Sequence, residues 1–315
     1  MVDAPFIPGV EGRERRPLVG YAMVLVAALL FAVNGTVSKV VLASGISSLE
    51  LVQVRSTGAF LGFLLVLALF DRGSLRLTRA ELPWLVAYGV LGVALVQWLY
   101  FLSIHRLPIG IALLIEYLGP LLVALWARYV FHEIVRRRIW AALALSIIGL
   151  AVIVELWSGV ALDGVGVLTA LAAAVALAAY MLLAERGVRT RSPASLSCFG
   201  FLFASLFWAF IQPLWRFPLG RTGDDVSLLV NLDSRQAPVW LLMLLIVVVG
   251  TMLTFFLVAS ALRHISATRT GIVAMLEPVA ASLVAFAWLG ESFGAAQLVG
   301  GGIVLVGILL AQTAR

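Results

Sequence analysis

Two glutamates, Glu116 and Glu277, stand well inside long apolar runs of the chain. A charged carboxylate at the centre of such a run costs on the order of 3 kcal/mol to place in lipid, so both should face an interior, where a carboxyl group can bind and release a proton. That makes Glu116 and Glu277 candidates for proton coupling, with a structural pairing to Lys39 or Arg269 as the alternative. Other polar side chains recur at helical spacing. Gln97, Tyr100 and Ser103 fall at i, i+3 and i+6, Phe31, Asn34 and Ser38 at i, i+3 and i+7, and Thr251 and Thr254 at i and i+3. Tyr117 and Tyr180 add two hydroxyls. Taken singly, each such group satisfies a helix-to-helix hydrogen bond; as a set they can line one cavity with polar and aromatic surface.

Bond-making chemistry lacks its parts. The run His132-Glu133-Ile134-Val135-Arg136 ends in arginine where a zinc-binding HExxH needs histidine, and the remaining histidines are His105 and His264. Neither a GxSxG elbow nor a phosphate-binding GxxxxGK occurs, so ATP-driven work would need another subunit. The lone Cys198, beside Phe199 and Phe201, excludes an intrachain disulfide and reads as packing. No catalytic residue, metal or cofactor is expected. Glu133 and Glu291 each precede an apolar run, where a carboxylate favours a helix N-terminus by up to about 1 kcal/mol.

The elements that must position these residues are set by composition. Of 315 residues 63% are hydrophobic and 12% charged, with a mean hydropathy of +1.09, too little charge to cover a surface in water. The lipid bilayer is therefore the expected partner, not nucleic acid, although the net charge is +6. Cutting at charge and proline clusters leaves ten stretches near the 20 or so residues a spanning helix needs. They are Leu18 to Leu42, Leu51 to Phe70, Trp84 to Ile104, Ile109 to Val130, Ile139 to Leu156, Val165 to Ala184, Ala194 to Leu214, Val239 to Leu262, Ala267 to Leu289 and Ala295 to Gln312. The first should remain as a span, because the tail before it lacks a small-residue cleavage site. With the N-terminus inside, 14 Lys and Arg fall in inner segments and 4 in outer ones, which places both termini in the cytoplasm. Trp84 and Trp140 then mark the inner interface and Trp157, Trp215, Trp240 and Trp288 the outer one. Lys39 and Arg55, toward outer ends of spans, are expected to snorkel. The long loop from Arg216 to Pro238 should be solvated outside.

Shifting the chain by 158 positions lays Pro120 on Pro278, Leu118 on Leu276, Glu133 on Glu291 and Gly149 on Gly307. Five spans per half is odd, so the halves must point opposite ways. The arginines Arg136, Arg137 and Arg138 after the fourth span, absent after the ninth, fit that inversion. The division is a cytoplasmic tail over 1–17, a first repeat over 18–156 and an inverted second repeat over 157–315. Pro120 and Pro278 lie near mid-span, free the carbonyls of Glu116 and Ala274, and are candidate hinges. Gly58 and Gly62, like Gly300 to Gly302, read as close-packing surfaces, so the chain is expected to be a monomer or a weak homodimer.

The segments SIHRLPIGIALLIEYLGPLLVALWARYVFHE and ALRHISATRTGIVAMLEPVAASLVAFAWLGE carry a resemblance over nearly the whole chain. They look like the paired signature of EamA-type transporters in the drug/metabolite transporter superfamily. Phe131-His132-Glu133 departs from the usual Leu-Gly-Glu, which Leu289-Gly290-Glu291 keeps. The resemblance implies an all-α integral membrane protein with two inverted five-helix repeats, a secondary transporter of a small-molecule substrate in the bacterial inner membrane. Its relatives are exporters of amino acids and small metabolites, and also sugar-phosphate and nucleotide-sugar carriers. An uncharged, aromatic lining of Asn34, Gln97, Tyr100, Tyr117 and Tyr180 suits amino acids better than phosphates, which demand paired Arg or Lys. An intramembrane enzyme is the remaining alternative, and it needs a nucleophile and base that the sequence does not offer.

Overall fold

Apolar runs of this length can satisfy their backbone in lipid only by coiling into helices, and the breaks between them follow local chemistry. The computed structural model describes residues 16–104, 106–107, 109–132, 134–153, 155–157, 163–212, 217–228, 230–232, 234–289 and 294–313. Most of the tail, His105, Glu133, Trp215 and Glu291 lie outside the described residues. Helix α1 (Pro17–Ala43) opens on a proline, whose missing N–H would have no helical partner there, and stops before Gly45 at φ 87°. Helix α2 (Ser48–Phe70) starts with a reciprocal capping box between Ser47 and Glu50. Asp163 and Ser192 cap α6 (Gly164–Thr190) and α7 (Pro193–Ile211). Helices α5 (Arg137–Ile153) and α10 (Ala295–Thr313) are uninterrupted.

Four rods are interrupted. Helix α3 runs Leu82–Ala87, passes through a π segment at Tyr88–Ala94 and continues as Leu95–Ile104. Helix α8 does the same with Val239–Val247, a π segment at Val248–Leu253 and Thr254–Ala261. Helix α4 breaks between Ile109–Glu116 and Gly119–Tyr129, and α9 between Ala267–Ala274 and Leu276–Leu289. The breaks come before Pro120 and Pro278, where a proline ring excludes the carbonyl of the residue four back.

Among the described residues eight helices are long and apolar enough to cross a membrane. The ten expected spans exceed that number by α5 and α10. Helix α5 has 17 residues and begins on Arg137 and Arg138, and the apolar stretch of α10 covers Leu298–Ala311. At 1.5 Å per residue a 17-residue helix rises about 25 Å, short of a hydrocarbon core of about 30 Å. The loop before α8 carries a small antiparallel hairpin of β1 (Asp225–Ser227) and β2 (Gln236–Pro238). Trp288 Nε1 donates to the Leu228 carbonyl, which ties that loop to α9.

Packing is preserved when each rod is exchanged with the rod five places later. Helix α1 packs on α8 and α9 as α6 packs on α3 and α4, while α2 packs on α7 and α5 on α10. At the α5 and α10 contact the correspondence reaches single atoms. A Cβ on Gly149 would lie 2.7 Å from the Gly300 carbonyl and 2.7 Å from Val304. A Cβ on Gly307 would lie 2.9 Å from the Ala142 carbonyl and 2.6 Å from Ser146, the counterparts of Gly300 and Val304 at the 158-residue shift. Gly58 and Gly62 face Val247 and Met252 of α8, so this pair serves contact within the chain. One apolar cluster is drawn mainly from α2, α3, α6, α7 and α8, with Ala27, Val123 and Ala267 from α1, α4 and α9, and a second mainly from α1, α4, α5, α9 and α10, with Ala261 from α8.

Candidate substrate-binding cavity

Between the two apolar clusters lies a cavity of about 570 Å³. Its wall includes Val93, Met181 and Val258 from the first cluster and Val24, Leu114 and Leu150 from the second. Lys39, Leu42 and Ile153 mark its mouth, at the end where α1 and α5 finish. That volume fits a small metabolite.

Of the residues picked out in the sequence, Phe31, Asn34, Ser38, Gln97, Tyr100, Tyr117 and Tyr180 line this one space, with Glu116, Glu277 and Pro278. The breaks in α4 and α9 put Glu116 and Glu277 at the ends of half-helices. Tyr117 OH donates to Glu277 Oε2 at 2.7 Å. Glu116 is 8% exposed and its Oε2 has no hydrogen-bond partner among the described residues. The same holds for Asn34 Oδ1, Ser38 Oγ, Gln97 Oε1 and Thr270 Oγ1, all on the wall. Each of these five oxygens is itself shielded from the cavity space, Asn34 Oδ1 lying against Gly250. The apolar part of the wall is aromatic: Phe31 meets Phe255 edge-on at 5.7 Å, Phe255 meets Tyr180 at 5.6 Å, and Tyr180 stacks on Tyr88 at 5.8 Å. Glycines let the π segments approach this wall. Gly250 lies directly against Asn34, and a Cβ on Gly92 would come within 3.0 Å of the Tyr180 backbone.

Four other expected residues are placed elsewhere. Ser103 Oγ donates to the Tyr100 carbonyl at 2.7 Å. Thr251 and Thr254 donate to the carbonyls of Ile246 and Val249, each five residues back and each at 2.8 Å. Both threonines sit where α8 passes through its π segment, and their hydroxyls are turned back onto their own helix. Pro120 packs on Gly271 of α9 instead of facing the cavity. Arg55 corrects the sequence reading in the other direction. It does not snorkel to an interface, because its side of α2 faces α8, where its Nε donates to Thr251 Oγ1 at 3.1 Å, and it lines the cavity with 8% exposure. An opposite charge acting on Glu277 is Arg55. The polar run Gln53, Arg55, Ser56 and Thr57 was the available signal, since lipid gives such a run no partners.

The EamA-like transporter family model matches residues 18–155 and again 164–313. The threonine/homoserine exporter RhtA of Escherichia coli (strain K12) is 28% identical over 252 residues, covering 78% of this chain and 76% of that protein. An uncharacterized transporter of Archaeoglobus fulgidus is 26% identical over 93% of this chain and 96% of its own length. The uncharacterized transporter YwfM of Bacillus subtilis (strain 168) is 24% identical over 92% and 93%. One solved crystal structure, 17% identical, superposes with a TM-score of 0.75 over 93% of this chain and 96% of that one, a likeness of fold.

Proposed function

The chain belongs to the EamA-like transporter family, a multi-pass membrane family, and from that premise we propose that it is a secondary transporter exporting amino acids or similar small metabolites. Membership and the transporter-named relatives indicate a transporter rather than an enzyme. The observation that carries the reading is the cavity of about 570 Å³, in which Asn, Ser, Thr and Gln residues share a wall with side chains of both charge signs and with aromatic rings. A zwitterion with an apolar body, aromatic amino acids included, matches all three features at once. A sugar phosphate or nucleotide sugar would bring negative charge against Glu116 and Glu277, which argues against that carrier type. The relative named as a threonine/homoserine exporter supports small-molecule export.

Transport proceeds by alternating access in the bacterial inner membrane, with ten spans in two inverted five-helix repeats, both termini cytoplasmic and the chain working as a monomer. The exchange-invariant packing, the paired π segments and the paired breaks support that architecture. The mouth beside Lys39 then opens outward, and Glu116 or Glu277 carries the exchanged proton.

Reconstituted proteoliposomes test the reading. Threonine, homoserine and aromatic amino acids should accumulate when a proton gradient is imposed. Glu116→Gln or Glu277→Gln should abolish that accumulation while leaving exchange down a substrate gradient. Movement of phosphorylated sugars without movement of amino acids would overturn the substrate class.

A further inference from the structure

Arg55 is the buried basic side chain of the cavity wall, 8% exposed. Its one hydrogen bond among the described residues runs from Nε to Thr251 Oγ1. The geometry behind that bond is indirect. Thr251, within the π segment of α8, gives its hydroxyl proton to the Ile246 carbonyl five residues back. The threonine oxygen is thereby left as an acceptor, and it holds Arg55 by the nitrogen nearest the side-chain stem. A guanidinium held at Nε keeps two terminal nitrogens in a rigid plane, the arrangement that matches the two oxygens of a carboxylate. Thr251 is fully buried and α8 is braced by the aromatic contacts of Phe255, so the fork is anchored on a rigid element. Acidic groups occupy the other walls, with Glu116 on α4 and Glu277 on α9, and Arg55 and Glu277 attract one another across the space.

We infer that Arg55 is the docking group for the substrate α-carboxylate, that Thr251 is its positioning residue, and that the substrate ammonium faces Glu277 and Glu116. The inference rests on the amino-acid reading above and deepens it. It makes the carboxylate a requirement of recognition: a molecule with the same side chain and ammonium but no carboxylate leaves the fork unmatched, which is a basis for rejection.

Calorimetric titration of the purified full-length chain in nanodiscs with threonine, threonine amide and threoninol tests it. Wild type should bind threonine about tenfold to a hundredfold more tightly than either analogue, the range of one charge-assisted contact. Arg55→Gln should reduce threonine to the level of threoninol and leave threoninol unchanged. Thr251→Val should remove much of the preference and Thr251→Ser should restore it, which loss of packing alone would not do. Equal wild-type affinity for threonine and threoninol would overturn the proposal without any variant. So would an Arg55→Gln protein that keeps the preference, or one that weakens all three compounds equally, which would make Arg55 a counter-charge for Glu277 only. If wild type binds none of the three and transports another class of metabolite, the amino-acid reading itself fails, and the carboxylate dock with it.

Discussion

Arg55 and Arg191 are buried to the same degree, each 8% exposed, and the protein surrounds them in opposite ways. Arg191, just after α6, donates to both carboxylate oxygens of Glu81 at 3.1 and 2.9 Å. Its terminal nitrogens also reach the Ser74 and Arg76 carbonyls and Ser195 Oγ, and its guanidinium lies 4.7 Å from the centre of the Phe199 ring. Arg263 closes the assembly by donating to the Arg191 carbonyl at 2.8 Å. This latch joins the connection between α2 and α3, the first turn of α7 and the turn between α8 and α9, at the end away from the cavity mouth. Arg55 has one hydrogen bond and an open cavity. Burial alone therefore does not separate a structural charge from a binding charge. The completeness of its hydrogen bonds does, because a satisfied guanidinium has nothing left to offer a ligand, whereas an unsatisfied one has donors in a poorly solvated site.

The comparison can be broken or sharpened by measuring unfolding in detergent. Arg191→Ala should have the largest effect, a loss of about 3 kcal/mol, since it takes the charged partner from the Glu81 carboxylate and the donor from the Arg76 carbonyl, while Thr78 still donates to Glu81 and Ser195 to Ser74. A melting temperature within a degree of wild type would reduce the latch to a decorative contact. Glu81→Gln should come next, with a loss of about 1–2 kcal/mol near neutral pH, because Glu81 is partly exposed and its bond to arginine is partly screened. That loss depends on pH in a fixed direction. The hydrogen bonds from Arg191 hold the Glu81 carboxyl below its ordinary value of 4.5, so the pair stabilises the fold above that value. The contribution disappears as pH falls through the lowered folded value. Wild type and Glu81→Gln should therefore differ in stability at pH 7 and converge in acid; a constant difference down to about pH 3 would assign the effect to packing. The smallest effect is expected at Arg55, where Gln should shift stability by about 1 kcal/mol, the worth of the single hydrogen bond that Arg55 makes to the protein. Destabilisation as large as that of Arg191→Ala would erase the distinction between the two arginines.

The cavity was legible where a polar residue inside an apolar run has no lipid-compatible explanation. Asn34, Gln97, Glu116, Tyr117 and Glu277 could be found in this way, because the bilayer penalises each wherever it would face lipid. The threonines of α8 show where spacing misleads. Thr251 and Thr254 sit at i and i+3, but the π segment adds a residue to the turn and supplies carbonyls that take their hydroxyl protons. Arg55 shows the complementary failure: its place in the sequence gave its depth, whereas the direction it faces depends on α8, about two hundred residues away in the chain.

Composition and hydropathy were enough to establish a helical membrane protein, since they act on each segment independently of its neighbours. The repeat was visible as well, because Pro120 and Pro278 break their helices by a steric rule that needs no tertiary partner. Which polar groups share one wall, which arginine is saturated and which is open, and which of the two mid-span prolines reaches the cavity were decided only by tertiary structure. These are properties of pairs of helices, and a helix alone leaves its rotation about its own axis undetermined. The packing of α1 on α8 and α9, of α2 on α8 and of α6 on α3 and α4 fixes that rotation and with it the chemistry of the cavity.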